Sequence, residues 1–294
     1  MDIFIQSLIG GITVGAIYGL IAIGFNLIFS TTRVLNFAQG EYLAAGALVG
    51  YTMSEVWNWS FGFVIFGVIA VMAVVGVVSE RLIMIPVRRV GGLAWILTTL
   101  GASIVMRNGL VVLYGREPYR FPALSDGDIR FGEVVIRHQQ IWIIVAAVVL
   151  LILNELFARR TFFGKAIRAT AHSYDTAALM GIPVGLTISI SFALSAIVTG
   201  LAGLLIAPIV FADANMGLLF GLKGFVAVIV GGMGSARGAF VGGMIVGILD
   251  TFVRSVLSDV IPSGYGNLAV FALLAAMLLF RPTGIMGQAI TDRH

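Results

Sequence analysis

Leu8-Ile-Gly-Gly-Ile-Thr-Val-Gly-Ala-Ile-Tyr-Gly-Leu-Ile-Ala-Ile-Gly-Phe-Asn-Leu-Ile-Phe-Ser30 decides the fold, because it runs its whole length without a charged side chain. A helix of about 20 apolar residues crosses the hydrocarbon of a bilayer, and backbone groups there must pair internally. This run is long enough. Working outward, comparable runs are Phe61 to Ser79, Leu93 to Tyr114, Ile141 to Ala158, Thr187 to Val210 and Gly238 to Phe252, with Gly264 to Phe280 the last. Phe37 to Met53 and Leu219 to Met233 are shorter, and each reads as a steep span, a broken helix or a re-entrant segment. The expectation is an all-α polytopic transmembrane helical bundle of about nine spans, within a range of seven to ten, forming one domain over 1–294.

Composition says the same. Hydrophobic residues make up 59% of the chain and charged residues 11%, against about 25% charged in ordinary soluble domains. The mean hydropathy is +1.05. Too few charges are present to coat a water-facing surface. The absence of cysteine excludes disulfides, thiol catalysis and cysteine-ligated metals. His138, His172 and His294 are far apart in sequence, which argues against a histidine metal site. The net charge of +4 does not point to nucleic acid, because the basic residues gather in short loops between spans. The Met-Asp-Ile-Phe start lacks a basic region and no small-residue cleavage site follows, so the first run is expected to be a retained helix.

Basic loops mark the cytoplasmic side of a membrane protein. Arg81, Arg88 and Arg89 form one such loop, Arg159, Arg160, Lys165 and Arg168 a second, and Arg281 and Arg293 follow the last run. The stretch from Gly115 to Gln140 instead balances Arg116, Arg120, Arg130 and Arg137 against Glu117, Asp126, Asp128 and Glu133, which suits the outer face. With nine spans the amino terminus lies outside and the carboxyl terminus in the cytoplasm.

Glycines recur at four-residue spacing: Gly11, Gly15 and Gly19; Gly46 and Gly50; Gly238 and Gly242; Gly243 and Gly247. Such faces let helix backbones approach where lipid supplies no hydrophobic drive. They indicate packing and no particular function. The segment from Gly24 through Gly46 also resembles that from Gly224 through Gly243, each a span, a polar break and a glycine-containing span. Transporters often carry such repeats, although two glycine-rich apolar stretches resemble each other by chance just as readily.

Three segments carry polar chemistry. From Lys165, the loop ending at Pro183 reads as amphipathic and helical, with Ser173 and Asp175 as candidate N-caps of a short helix ending at Gly181. That helix is expected to expose Ala177, Leu179 and Met180 to a partner's groove; an ordinary solvated loop whose basic residues set topology weighs about equally. The polar breaks Ser30 to Glu41 and Gly231 to Gly238 are the other two. Unwound backbone at membrane depth is tolerated only inside protein or beside a water-filled cavity. The breaks therefore read as lining of a pathway or as tight cytoplasmic turns, the turn weighing slightly more for the second. Arg107, Lys223, Asp250 and Arg254 lie in or near apolar runs. Snorkelling of Arg107 and an i,i+4 pair between Asp250 and Arg254 are the plainer explanations. No phosphate-loop motif, buried carboxylate chain or HExxH motif is present, so no ATP site and no catalytic residue is expected in this chain.

At these loops the sequence resembles a known family, the LivH-type permeases of branched-chain amino acid ABC importers. The resemblance is carried by Gly19 to Phe29, Val34-Leu-Asn-Phe-Ala-Gln-Gly-Glu41, Leu97-Thr-Thr-Leu-Gly-Ala-Ser-Ile104, Gly164-Lys-Ala-Ile-Arg-Ala169, Ala177-Ala-Leu-Met-Gly-Ile182 and Gly221 to Gly234, in order over nearly the whole chain. It implies a multi-pass subunit of the bacterial inner membrane that pairs with a second permease, two cytoplasmic ATPases holding ATP and Mg, and a periplasmic substrate-binding protein. It implies no cofactor in this chain. It assigns residues 159–186 to coupling with an ATPase, through Gly164, Lys165, Arg168, Asp175, Ala178, Leu179, Met180 and Gly181. Candidate pathway-lining residues are Asn26, Asn36, Gln39, Glu41, Gly232 and Gly234. Two departures stand out: Gln39, where relatives are expected to carry histidine, and Arg107 before Asn108, where a neutral amide is more usual. They leave the cargo open between amino acids and urea or other small amides, and a stand-alone secondary transporter is the competing class.

Overall fold

Deprived of water, each apolar run closes its own backbone hydrogen bonds and becomes a helix. A computed structural model describes residues 2–87, 93–125, 127–132, 134–256 and 265–287. Arg88, Arg89, Asp126, Glu133, Gly264, Arg293 and His294, used above to count or orient spans or to judge metal binding, lie outside the described residues. The chain begins with α1 (Asp2–Thr32) and α2 (Gln39–Tyr51), the latter running into a π-helical turn, Thr52–Val56. Next comes α3 (Phe61–Ser79), which continues through a second π turn, Glu80–Met84, into the short α4 (Ile85–Val87). Then follow α5 (Leu93–Tyr114), the strands β1 (Asp128–Phe131) and β2 (Val134–Arg137), and α6 (His138–Arg160). After α7 (Phe162–His172) and α8 (Tyr174–Leu179) come α9 (Val184–Val210), α10 (Met216–Gly231), α11 (Ala236–Val256) and α12 (Tyr265–Phe280).

Among the described residues, 6 helices are long and apolar enough to cross a membrane: Ile3–Thr32, Phe61–Val87, Ala94–Tyr114, His138–Arg160, Val184–Val210 and Ala236–Ser255. Met216–Gly231 and Gly266–Phe280 are shorter and apolar. The chain is thus a multi-pass, predominantly helical membrane protein. One feature departs from an all-helical reading. Residues 128–137 form an antiparallel hairpin, Asp128 opposite Arg137 and Phe131 opposite Val134, where only a charge-balanced loop was expected. Ile129 alternates with Asp128 and Arg130 in β1, and the β-branched run Val134-Val-Ile136 suits the facing strand.

The helices sort into an inner and an outer set. Much of α1, α2, α9 and α10 is buried, including Ile17, Leu20, Tyr42, Leu43, Phe192, Leu204 and Val228. By contrast α3, α5, α6 and α12 turn Phe63, Phe66, Val105, Val112, Leu113, Ile152 and Leu279 outward. A surface this apolar suits lipid or another membrane subunit. Close packing of the inner set depends on glycine. A Cβ added at Gly15 would lie 2.9 Å from Met244 Cα, and one at Gly11 would lie 2.8 Å from Ile248 Cα, so α1 and α11 pack backbone to backbone. The same close approach joins α2 to α9 at Gly46 and Gly200.

Each end of the bundle has its own ties. At one end the Gln6 amide pairs with the backbone of Val135 in β2, donating at 3.0 Å and accepting at 3.1 Å. Tyr119 and Ala212 exchange backbone hydrogen bonds of 2.8 and 2.9 Å, tying the segment after α5 to the one after α9. At the opposite end Arg33 donates to the Ala171 carbonyl of α7. There too the amides of Ile285 and Met286 donate to Val230 and Gly231, 2.9 Å each.

Candidate functional site

The first polar break is built by Asn36. Its Oδ1 accepts from the Ala38 amide at 3.1 Å, a local turn of the kind asparagine favours, and its Nδ2 donates to Tyr42 Oη at 3.3 Å. Arg33 takes a positive φ of 57°, so the chain reverses directly after α1. It then runs back beside α1, because Gln39 at the start of α2 lies against Gly24. That contact is about 12 Å along the helix from the end of α1, at 1.5 Å per residue. Gln39 is held at both ends of its amide. Nε2 donates to Thr199 Oγ1 at 2.6 Å, and Oε1 lies 2.9 Å from Ser195 Oγ, which is also 2.8 Å from the Gly24 carbonyl. Thr199 and Ser195 belong to a stripe on α9, Thr187, Ser191, Ser195 and Thr199, all fully buried. Sequence reasoning missed this stripe, although its four-residue spacing inside an apolar run was the available signal.

Glu41 sits in the first turn of α2, where the free amides of a helix start favour negative charge. Its residue surface is 1% exposed. Oε1 accepts from Ser103 Oγ of α5 at 2.8 Å. Oε2 has no hydrogen-bond partner among the described residues. Glu41 and Ser103 line a cavity of about 50 Å³ with Phe25, Phe37, Phe225 and the glycines Gly40, Gly217 and Gly221. Phe225 stacks loosely with both other rings, at centroid separations of 6.1 Å from Phe25 and 5.6 Å from Phe37. Ser103 and the three phenylalanines were not singled out from sequence.

The second break meets the first helix. Asn26 Oδ1 accepts from the Gly234 amide at 2.7 Å. Gly232 and Gly234 adopt φ of 102° and 91°, which a side-chain-bearing residue adopts only with strain. Of the candidate residues, Asn26 and Gly234 are therefore brought together. Asn36, Gln39 and Glu41 follow one another through the first break, each with separate partners. Their backbones are joined: the Gln39 amide donates to the Asn36 carbonyl and the Glu41 amide to the Ala38 carbonyl, each at 3.1 Å.

Residues 161–183 form a two-helix corner. Thr161 caps α7, its Oγ1 accepting from the Gly164 amide at 2.9 Å, so this helix starts ahead of the expected Lys165. Ala166 and Ile167 are buried, while Lys165 and Arg168 are exposed. Of the two expected caps, Ser173 takes the role for α8, accepting from the Thr176 amide at 3.3 Å; Asp175 lies exposed in the first turn. Ala177 corrects the expectation of exposure: it is buried with Val184, Ile188 and Phe192. The reason is helical phase, which turns Ala177 toward α9 and Ala178, Leu179 and Met180 away. Leu179 is 88% exposed and Met180 78%. Gly181 ends the helix at a φ of 77°, with open space where a side chain would point.

Of the four charges in or near apolar runs, Lys223, Asp250 and Arg254 form one cluster, while Arg107 stands apart and acts on Glu41. Asp250 Oδ2 accepts from Lys223 Nζ at 2.7 Å and from Tyr18 Oη at 3.1 Å, while Oδ1 accepts from Arg254 Nε at 2.8 Å. Arg254 Nη2 donates onward to Asn267 Oδ1 at 2.8 Å. The i,i+4 pair expected from spacing is present, and Lys223 joins it from α10. An aspartate so encircled ties α1, α10, α11 and α12 together.

The chain matches the family model described as branched-chain amino acid transport system, permease component, over residues 7–281. It is 31% identical to the high-affinity branched-chain amino acid transport system permease protein BraD of Pseudomonas aeruginosa, covering 99% of this chain and 98% of that one. It is 30% identical to LivH of Escherichia coli K12, described in the same words, covering 99% and 97%. A probable branched-chain amino acid transport permease, LivH of Methanocaldococcus jannaschii, is 29% identical over 95% of this chain and 91% of that one. Among solved structures, PsaBC from Streptococcus pneumoniae in complex with Fab matches at a TM-score of 0.51 with 14% identity, covering 96% of this chain and 93% of that one, a likeness of fold. With a family model spanning nearly the whole sequence, and relatives matched end to end, the chain belongs to the family of branched-chain amino acid transport system permease components.

Proposed function

We propose that this chain is a membrane-spanning subunit of an ATP-driven importer, forming with a second permease the path for branched-chain or related small amino acids. In this reading ATP and Mg act on two cytoplasmic ATPases, and a periplasmic protein delivers the cargo to the inner membrane. The chain is one permease domain over 1–294 with a coupling segment at 159–186. It crosses the membrane nine times. Its amino terminus and hairpin 128–137 face outside, with α7, α8 and the carboxyl end in the cytoplasm. Shared ends support that arrangement: Gln6 meets Val135, and Arg33 meets Ala171.

The observation that carries the reading is the corner at 161–183. Leu179 and Met180 stand exposed on a helix whose cap, Ser173, and terminator, Gly181, hold it in place. Exposed apolar anchors on a rigid short element suit a groove in a partner. Lys165, Arg168 and Asp175 supply a polar rim, Ala178 and Gly181 leave room for close approach, and Gly164 sets the α6–α7 corner. Movement of an ATPase then reaches the bundle through α9, on which Ala177 is packed. The pathway residues are Asn26, Asn36, Gln39, Glu41, Gly232 and Gly234, at the two breaks.

The test uses Leu179→Asp and Arg168→Glu in complexes reconstituted into liposomes. Both side chains are exposed, so membrane levels stay normal. Losing a central anchor commonly costs about 2 kcal/mol or more. ATPase co-purification and leucine-stimulated ATP hydrolysis are therefore expected to fall by roughly tenfold or more. Full coupling in both variants would reduce the corner to a topology-setting loop and favour transport without an ATPase.

A further inference from the structure

We propose that the cavity at Glu41 is a subsite for a primary ammonium group, with Glu41 Oε2 its acceptor. The inference rests on the importer reading only in taking that ammonium to belong to a passing amino acid.

One oxygen of this carboxylate is occupied by Ser103 and the other is buried without a partner among the described residues. Leaving a buried acceptor unpaired is costly, and more so when it carries charge. The Arg107 guanidinium acts on Glu41 through space and forms no ion pair with it. Lys223, the nearest lysine in sequence to the cavity glycines of α10, is engaged by Asp250, and no ion pair to Glu41 occurs among the described residues. Glu41 also lines a cavity of about 50 Å³. A single water needs at least about 10–15 Å³ by this measure, so the space takes a compact donor head but not a whole leucine.

The rest of the lining narrows the donor's chemistry. Phe25, Phe37 and Phe225 share the cavity with the carboxylate. Aromatic rings attract a cation and offer little to a neutral amide. A carboxylate among three phenylalanines is thus matched to an ammonium ahead of urea. Gly217 keeps the approach open: a Cβ there would lie 2.9 Å from Glu41 Oε2, occupying the donor's place. Glu41 is a specificity-determining residue in this scheme. It accepts the ammonium while the aliphatic side chain follows once the surrounding helices part.

The experiment compares two fragments of leucine on the purified transporter complex in detergent, without the binding protein. They are 3-methylbutylamine, which keeps the ammonium, and 4-methylpentanoate, which keeps the carboxylate. Saturation-transfer NMR reads the affinity of each for the wild type, Glu41→Asp and Glu41→Gln. A charge-assisted hydrogen bond lost at Glu41→Gln should weaken the amine about tenfold or more and leave the acid unchanged. Glu41→Asp, which retains the charge, should keep part of the amine affinity and shows that loss in Glu41→Gln is not misfolding. Equal amine binding by Glu41→Gln, or no specific amine binding by the wild type, overturns the subsite. ATP-driven leucine uptake into liposomes separates the two readings. A wild type that binds the amine but imports no leucine sinks the importer and leaves the subsite. Import by Glu41→Gln at the wild-type rate sinks the subsite and leaves the importer.

Discussion

Replacing Gly15 with leucine tests whether the α1–α11 contact holds the bundle together. The first added atom, Cβ, would lie 2.9 Å from Met244 Cα, 3.1 Å from the Gly243 carbonyl and 3.2 Å from that of Met244. Carbon atoms rest at about 3.5–4.0 Å, so α1 and α11 must separate by roughly 0.5–1 Å for alanine alone. All three obstacles are backbone atoms, and no rotamer change relieves them. Overpacking of this kind costs about 1–3 kcal/mol, and leucine adds further atoms at the same crossing. Gly15→Leu should therefore melt well below the wild type in detergent and accumulate poorly in membranes, with Gly15→Ala between them. Gly101 is the control, since an added Cβ there meets nothing within 4 Å. As a helix-interior glycine on an exposed face, it should accept alanine with neutral effect or a gain of up to about 1 kcal/mol. Wild-type melting and yield for Gly15→Leu would refute the reasoning, because then this face meets lipid or the helices separate freely.

Asp250→Asn should be strongly destabilising, by about 3–5 kcal/mol, since it leaves Lys223 a buried charge without its partner. Lys223→Met combined with Asp250→Asn should recover part of that loss in the same thermal melt; additive damage would mean the two do not act as a pair. Gln39→Leu frees Ser195 and Thr199 from their shared amide and should lower stability by about 1–3 kcal/mol; an unchanged melting temperature would show that this tie contributes nothing. For orientation, the chain has no cysteine of its own. Ser125→Cys should react with an impermeant thiol reagent in cells with an opened outer membrane, and Ser173→Cys only after the inner membrane is breached. Equal labelling of both before that step would overturn the proposed sidedness.

The helices were legible because their cause is local. Leu8 to Ser30 has no water and no charge, so its backbone bonds within itself, and α1 follows. The same locality made the cap at Ser173 and the turn at Gly181 readable, since each depends on hydrogen bonds or φ angles within a few residues. The breaks around Asn36 and Gly232 could be found for the same reason. Hairpin 128–137 was harder, because two strands of this length have only pairwise support and drew on Gln6, far away in sequence, for part of it.

What tertiary structure alone decided is which distant groups meet. Spacing put Asp250 with Arg254 on one helix face, but only the packing of α10 on α11 brought Lys223 to the same carboxylate. Ala177 reads as an exposed neighbour of Leu179 until α8 is laid against α9, whereupon the helical phase separates them. Gln39 reads as a pathway-lining candidate in a break, with no partner assigned, until α9 supplies Ser195 and Thr199 at its two ends. Glu41 shows the difference most clearly: the sequence determines that a carboxylate occurs at the start of α2. That one oxygen is answered by Ser103 while the other is buried without a partner among the described residues, in a side chain that lines a cavity with three phenylalanines, follows from how four helices pack. A pattern of neighbours encodes backbone bonding, whose partners are a turn away, whereas partners across the bundle are chosen by steric fit among side chains that no local spacing relates.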